Sequence, residues 1–284
     1  MHQYPKLKLL KTKIVRSVLC VLLLCLPQLV QAQTPSPLPE WTYSAGELMR
    51  TSMSPTIPKW SVFGGASVAF GPRYDGSDEQ HVMGGPTVSI RYRDIAFAST
   101  GEGIGVNLLR DKNYRAGVAM VFDLGRRAVD SDDTNGLGNV NTAPEIKFFG
   151  EYLLFPVVLR ADARRGLGGH NGWIADVSAY MPVYGKKTFF VFIGPSVTLA
   201  DDAYMSRYFG VTPAQSASSG YPTYTAHAGL KSVNAGGSVT WLVTDHWVIN
   251  VLAGGQRLLS DAADSPLTLD RLQFATTFTV GYQF

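Results

Sequence analysis

The chain is short of charge: Asp, Glu, Lys and Arg make up 17% of its 284 residues, against about 25% in ordinary globular domains. It also lacks any apolar run of the ~18 residues that a spanning helix needs. The longest such run is Val18 to Leu26, and mean hydropathy is only +0.04. A bundle of membrane helices is therefore excluded. Cysteine is nearly absent, and the two present, Cys20 and Cys25, both fall in the first 32 residues, each preceded by leucine. A lipoprotein anchor would need a small residue there. Without those 32 residues the chain has no thiol, and so no disulfide and no Cys-based metal site.

Basic excess is missing too, once the N-terminus is set aside. Lys6, Lys8, Lys11, Lys13 and Arg16 precede the apolar stretch, Pro27 ends it, and Val30-Gln31-Ala32 places small residues before Gln33. This is the pattern of a secretory signal peptide, residues 1–32, cleaved after Ala32. Its removal leaves 20 basic against 22 acidic residues, and nothing points to nucleic acid. Residues 33–58 are rich in Pro, Ser and Thr and read as an extended periplasmic leader.

What the sequence does have is glycine (29), aromatics (11%) and β-branched residues throughout, which excludes disorder. From Trp60 onward the dominant signal has period 2. Ile146, Phe148, Gly150, Tyr152 and Leu154 share one face, opposite Glu145, Lys147, Phe149 and Glu151. Leu159, Ala161 and Ala163 oppose Arg160, Asp162 and Arg164; Val118, Met120 and Phe122 oppose Arg115 and Asp123. Arg91 and Arg93 fall together on the polar side of an earlier strand, and Asp176 on that of a later one. One apolar and one charged face suit either a soluble sandwich or a membrane barrel whose charged faces line the lumen.

Connections and the C-terminus decide between them. Short turns near 93–94, 110–113, 154–156, 183–187 and 243–246 alternate with long polar segments near 72–81, 125–142, 166–172, 200–228 and 259–271. Outer-membrane barrels have short periplasmic turns and longer external loops. Keeping that parity requires two short strands in 95–110, around Gly101-Glu102-Gly103. The expected fold is thus an all-β, antiparallel up-and-down transmembrane barrel over residues 59–284, with about twelve strands and ten as the alternative. Phe274, Thr276, Phe278, Val280, Tyr282 and Phe284 share one face of the last strand, and Phe284 is the final residue. Phe278, Val280, Tyr282 and Phe284 form the terminal aromatic pattern of a barrel-assembly signal. Trp60, Tyr92, Tyr152, Trp173, Trp241, Trp247 and Tyr282 stand near strand ends, as interfacial girdles require.

Several segments resemble the MipA/OmpV family of outer-membrane proteins, MltA-interacting protein-like. These are Gly71-Pro72-Arg73-Tyr74-Asp75-Gly76-Ser77-Asp78, Leu167-Gly168-Gly169-His170-Asn171-Gly172, Tyr204-Met205-Ser206-Arg207-Tyr208-Phe209-Gly210-Val211-Thr212-Pro213 with its continuation to Gly220, Thr244-Asp245-His246-Trp247, and Leu258 to Pro266. The resemblance runs from about Trp60 to Phe284. It implies a barrel in the outer membrane of a Gram-negative bacterium, in contact with outer-membrane lipid. The named member of that family is a scaffold joining a lytic transglycosylase to a bifunctional peptidoglycan synthase; other members are described as porin-like or adhesive.

Enzymatic chemistry finds little footing. The histidines beyond the leader are His81, His170, His227 and His246, and there is no Gly-x-Ser-x-Gly elbow. Asp130-Ser131-Asp132-Asp133-Thr134-Asn135-Gly136 departs from the EF-hand spacing. The Gly101-x-Gly103-x-Gly105 run has no strand–helix context. No catalytic residue, cofactor or metal is expected, and the chain reads as no enzyme. The expected lumen charges are Arg91, Arg93, Arg115, Asp123, Glu145, Lys147, Glu151, Arg160, Asp162, Arg164 and Asp176, whose near-balanced signs favour a bridged interior. Tyr204, Tyr208, Phe209, Tyr221 and Tyr224 mark a candidate surface loop. Three roles follow: a scaffold for the cell-wall enzymes, a small-solute channel set by the inward charges, or a surface adhesin acting through the aromatic loop.

Overall fold

The computed structural model describes residues 57–284. The expected signal peptide 1–32, and the leader 33–58 except for its last two residues, lie outside the described residues. Twelve antiparallel strands follow: β1 (Trp60–Pro72), β2 (Gln80–Tyr92), β3 (Ala96–Ser99), β4 (Gly103–Arg110), β5 (Tyr114–Asp123), β6 (Ala143–Leu154), β7 (Val157–Gly166), β8 (Trp173–Lys186), β9 (Phe189–Ala200), β10 (Gly229–Leu242), β11 (Trp247–Leu258) and β12 (Leu272–Gln283). Each pairs with its neighbours in sequence, and β12 returns to β1 with Phe63 opposite Gln283 and Phe70 opposite Thr276. The sheet is closed, so the two termini seal each other's edge, the condition for a sheet to survive in hydrocarbon.

The strands point as their alternation requires. Val82 (66% exposed), Ile104 (67%), Phe122 and Phe278 look outward, while Arg115, Lys147, Glu151, Arg160 and Asp176 are buried inside. An outer wall this apolar has lipid as its solvent. The ten-strand alternative is excluded, because 96–110 does fold back on itself as β3 and β4. Gly103 takes φ +82° at the tip, a region open to glycine.

This hairpin is short, and it leaves the wall low on one side. β3 pairs with β2 only from Tyr92 to Ser89, so among the described residues the stretch of β2 from Gln80 to Thr87 has β1 as its one strand neighbour. Pro86 sits there. The Val88 carbonyl accepts from the Thr100 amide across the β3 side, so even-numbered residues of β2 point their amides away from β1. Pro86, which has no amide hydrogen, therefore removes no ladder bond from the β1 seam, the edge placement proline demands.

Short turns gather at one end with Trp60, Tyr92, Tyr152, Trp241, Trp247 and Tyr282. Trp60 and Tyr92 rings lie 4.8 Å apart, and Tyr282 meets Trp247 edge-on at 5.4 Å. Trp173 alone of the expected girdle stands at the long-loop end, opening β8. The turn expected at 183–187 is shorter: β8 continues to Lys186 across an irregularity between Pro182 and Tyr184.

Candidate functional site

The lumen is crossed by a belt of ion pairs carried from strand to strand. Arg91 on β2 meets Glu102 at the β3–β4 tip. Glu102 also lies 3.4 Å from Arg115 Nη2, and its carbonyl accepts from Lys147 Nζ at 3.0 Å. Arg115 on β5 donates to Glu151 through Nε at 2.6 Å and Nη2 at 3.0 Å. These two are register partners, as are Glu151 and Arg160, whose side chains also pair. Asp162 and Asp176 stand directly opposite each other on β7 and β8. Like charges so placed repel, and Arg160 and Arg164 offset this. Asp162 lies 3.5 Å from each, and Arg164 Nη2 reaches Asp176 at 2.5 Å. The belt passes to neutral groups at Thr198, which donates to Asp176 at 2.5 Å, and then Asn234 on β10.

Phe149 sits amid this belt, with Arg115, Arg160 and Lys147 between 5.7 and 6.0 Å of its ring centre. Phe97 meets it edge-on at 5.8 Å. Arg115 and Arg160 pair with Glu151 as they lie over this ring, while Lys147 donates to the Glu102 carbonyl. Lys147 is 0% exposed, so no water-sized path runs along it. The opposite side of the lumen, from β9 to β1, is lined differently, by Ser67, Ser196, Ser232, Asn234, Ser238 and Thr279 among others.

Nearer the long loops lies a second polar cluster. His170 is buried, and its Nδ1 accepts from the Gly172 amide at 2.9 Å. The ring proton therefore sits on Nε2, which donates to Glu145 at 2.9 Å. Asp123 is 3.6 Å from the same nitrogen and accepts from the Tyr208 hydroxyl. A Cβ on Gly166 would stand 2.6 Å from this ring, so only glycine lets β7 pass so close. On the other side Lys231 bonds Asp75 at 2.6 Å, and Gln256 reaches the other oxygen of that carboxylate at 2.9 Å.

The loop 201–228 closes over this cluster. It holds two helices, α1 (Asp202–Phe209) and α2 (Pro213–Ser219). Asp201 caps α1 by accepting from the Tyr204 amide; Thr212 and Gln215 form a capping box on α2, with Pro213 in its first turn. Tyr204, Met205, Tyr208 and Phe209 turn down into an apolar core with Val140, Ile174, Leu258, Ala262 and Ala263. The last two belong to a further short helix, α3 (Ser260–Asp264). Arg126 donates to the Tyr208 carbonyl at 3.0 Å, Ser265 to the Phe209 carbonyl at 2.6 Å and Gln215 to the Leu137 carbonyl at 2.5 Å. Burial pushes the hydroxyls of Tyr204 and Tyr74 well above the ordinary tyrosine range and draws Arg126 below the usual guanidinium range.

Of the expected lumen charges, all but one lie inside. Arg93 falls beyond the end of β2, in an exposed turn with φ +51°. Its guanidinium lies over the Tyr92 ring at 5.8 Å. The candidate surface loop divides: Tyr204, Tyr208 and Phe209 are buried, whereas Tyr221 and Tyr224 are half-buried. Phe278, Val280 and Tyr282 share the outer face of the closing strand, and Phe284 follows one residue past its end, its amide donating to the Val62 carbonyl. Glu102, Asp75 and Lys231 were missed. The one available signal was an acid held between the glycines of a hairpin tip.

A family model described as MltA-interacting protein MipA matches residues 64–284. Among solved structures, the chain is similar to the N-terminal β-barrel domain of Pseudomonas aeruginosa OprF (8% identity, 81% of this chain and 100% of that one, TM-score 0.26). It is also similar to the outer-membrane channel DcaP of Acinetobacter baumannii (8%, 79% and 96%, TM-score 0.36) and to Neisserial surface protein A (8%, 80% and 97%, TM-score 0.23). No functionally curated protein matches the chain.

Proposed function

The chain belongs to the MltA-interacting protein MipA family and is a β-barrel of the outer-membrane type; from that premise we propose that it is a non-enzymatic scaffold. It holds peptidoglycan-remodelling enzymes, a lytic transglycosylase and a bifunctional peptidoglycan synthase, at the periplasmic face of the outer membrane. The observation that carries this reading is the buried ion-pair belt under a packed lid. A barrel filled and capped in this way works through its surfaces and its periplasmic end. The leader 33–58, with Trp41 and Tyr43 as aromatic anchors, would extend into the same compartment. Cross-linking in native membranes followed by affinity capture tests it. Both enzymes should be recovered with the whole protein and lost when an unrelated barrel carries the same leader; undiminished recovery without residues 60–284 overturns the role proposed for the barrel.

A small-solute channel has one supporting observation, the hydroxyl- and amide-lined side of the lumen. Planar-bilayer recording separates the two readings. Steady openings whose selectivity changes in Arg91→Ala or Arg160→Ala would favour the channel.

A further inference from the structure

Toward the short-turn end, the outer wall carries a groove of about 540 Å³. Strand register makes it. β3 turns Phe97 into the lumen, 4% exposed, and sets only Ala96 and Ala98 on the outer face. Ala96 lies between Tyr92 of β2 and Val106 of β4, and Ala98 between Ile90 and Ile104. Two methyl groups thus form a floor between two taller apolar rows, all of them lining the groove. The four residues of β3 rise ~3.3 Å each. The groove therefore runs ~13 Å, close to the ~15 Å depth of one hydrocarbon leaflet.

Its mouth is marked by Trp60 and Tyr92, whose rings lie 4.8 Å apart. Arg93 comes next in the chain and lays its guanidinium over the Tyr92 ring at 5.8 Å. Its amide donates to the Lys59 carbonyl at 3.0 Å, which joins the two cations at one turn. Both are exposed, and among the described residues neither has a carboxylate within ion-pair distance. Asp94, the acid beside them in the chain, lies 3.2 Å from Arg110 Nε instead. Two unneutralised cations therefore stand at the mouth of an apolar groove, at the level where aromatic girdles meet lipid headgroups.

We propose that this groove holds an acyl chain of an anionic phospholipid of the periplasmic leaflet, with its phosphate on Arg93 and Lys59. In an outer-membrane barrel the short-turn end faces the periplasm, where the leaflet is built of phospholipid. A chain lying in the groove meets apolar side chains on three sides rather than one and gains dispersion contacts accordingly. A guanidinium fork suits a phosphate, and a lysine beside it adds attraction for an anionic head. A zwitterionic head brings an ammonium group as well, and the one acid beside the mouth, Asp94, is engaged by Arg110. The diacylglyceryl anchor of a lipoprotein carries no phosphate and would leave both cations unused. The site does not depend on which enzymes the barrel scaffolds.

The test is native mass spectrometry of the full chain, released from detergent micelles doped equally with phosphatidylglycerol and phosphatidylethanolamine of the same acyl chains. Phosphatidylglycerol should stay bound at least about fivefold more often, the worth of one basic side chain beside an anionic head. Lys59→Gln with Arg93→Gln, at exposed positions and with most of each stem kept, should bring the two lipids to parity. Ala98→Leu raises the floor from the lipid side and should cut phosphatidylglycerol retention severalfold. Lys186→Gln with Lys187→Gln is the control: both are exposed at another short turn, Lys186 lying 5.7 Å from the Tyr184 ring, and the preference should persist. Each variant is scored on its folded, heat-modifiable form. Equal retention of the two lipids, or retention of neither, overturns the proposal. So does an unchanged preference without the charges of Lys59 and Arg93, an equal loss in the control, or undiminished retention in Ala98→Leu.

Discussion

Glu151→Ala strikes the belt at its most connected point. The Glu151 side chain is 0% exposed and holds Arg115 at 2.6 and 3.0 Å while also pairing with Arg160. Removing it leaves two buried guanidinium groups short of a partner. Arg115 keeps only Glu102 at 3.4 Å, and Arg160 keeps Asp162 at 3.5 Å. Breaking one side of a buried pair costs about 3–5 kcal/mol, chiefly from the stranded charge. Glu151→Gln preserves shape and one acceptor, so its cost should be nearer the ~1.5–3 kcal/mol of a single charge-assisted hydrogen bond. The assay is reversible urea unfolding in lipid vesicles, followed by tryptophan emission, with Arg160→Ala completing a double-mutant cycle. The cycle should return a coupling of about 0.5–3 kcal/mol. If Glu151→Ala costs less than about 1 kcal/mol and the coupling vanishes, the belt does not hold the lumen and the filled-barrel argument falls with it.

Gly65→Val places a Cβ 2.2 Å from the Val280 carbonyl oxygen at the closing seam; overpacking of this kind costs about 1–3 kcal/mol, read as loss of the folded, heat-modifiable band on gels. Tyr208→Phe removes the hydroxyl bonded to Asp123 and should increase protease cleavage within 201–228 while leaving the strands protected; cleavage equal to the parent protein would count against a pinned lid. Alkali should loosen the same region. Burial raises the Tyr204 and Tyr74 hydroxyls above their unfolded value near 10, so their contribution is complete below about pH 10 and declines as pH rises through the folded values. Tyr204→Phe should flatten that alkaline decline in unfolding midpoint, and an unchanged slope would assign it elsewhere. Deleting 212–222 should leave cell attachment unaltered if the aromatic loop serves as a cover; lost attachment would favour the adhesive role.

Much of the barrel was legible because period-2 alternation is local: Glu145 to Leu154 announces its two faces whatever lies beside it. Parity of short and long connections even placed the β3–β4 hairpin. The lid was not legible as helices. Its capping residues Asp201 and Thr212-Pro213-Ala214-Gln215 are present, and Tyr204, Met205, Tyr208 and Phe209 fall on one helical face. Eight and seven residues, however, give too few turns for a period to stand out. Arg93 was placed inside because alternation was carried one residue past the strand; the chain leaves the sheet at Tyr92.

By itself, the sequence determined that residues 60–284 must form a closed sheet, greasy outside and ionised inside. Side-chain direction follows from strand geometry, and a sheet in lipid can keep no open edge. It could not determine which charge meets which. Glu102 becomes the partner of Arg91 and Arg115 only because a short hairpin tucks its tip into the lumen. Those pairings depend on register and closure, quantities set by the whole barrel together and written in no single strand.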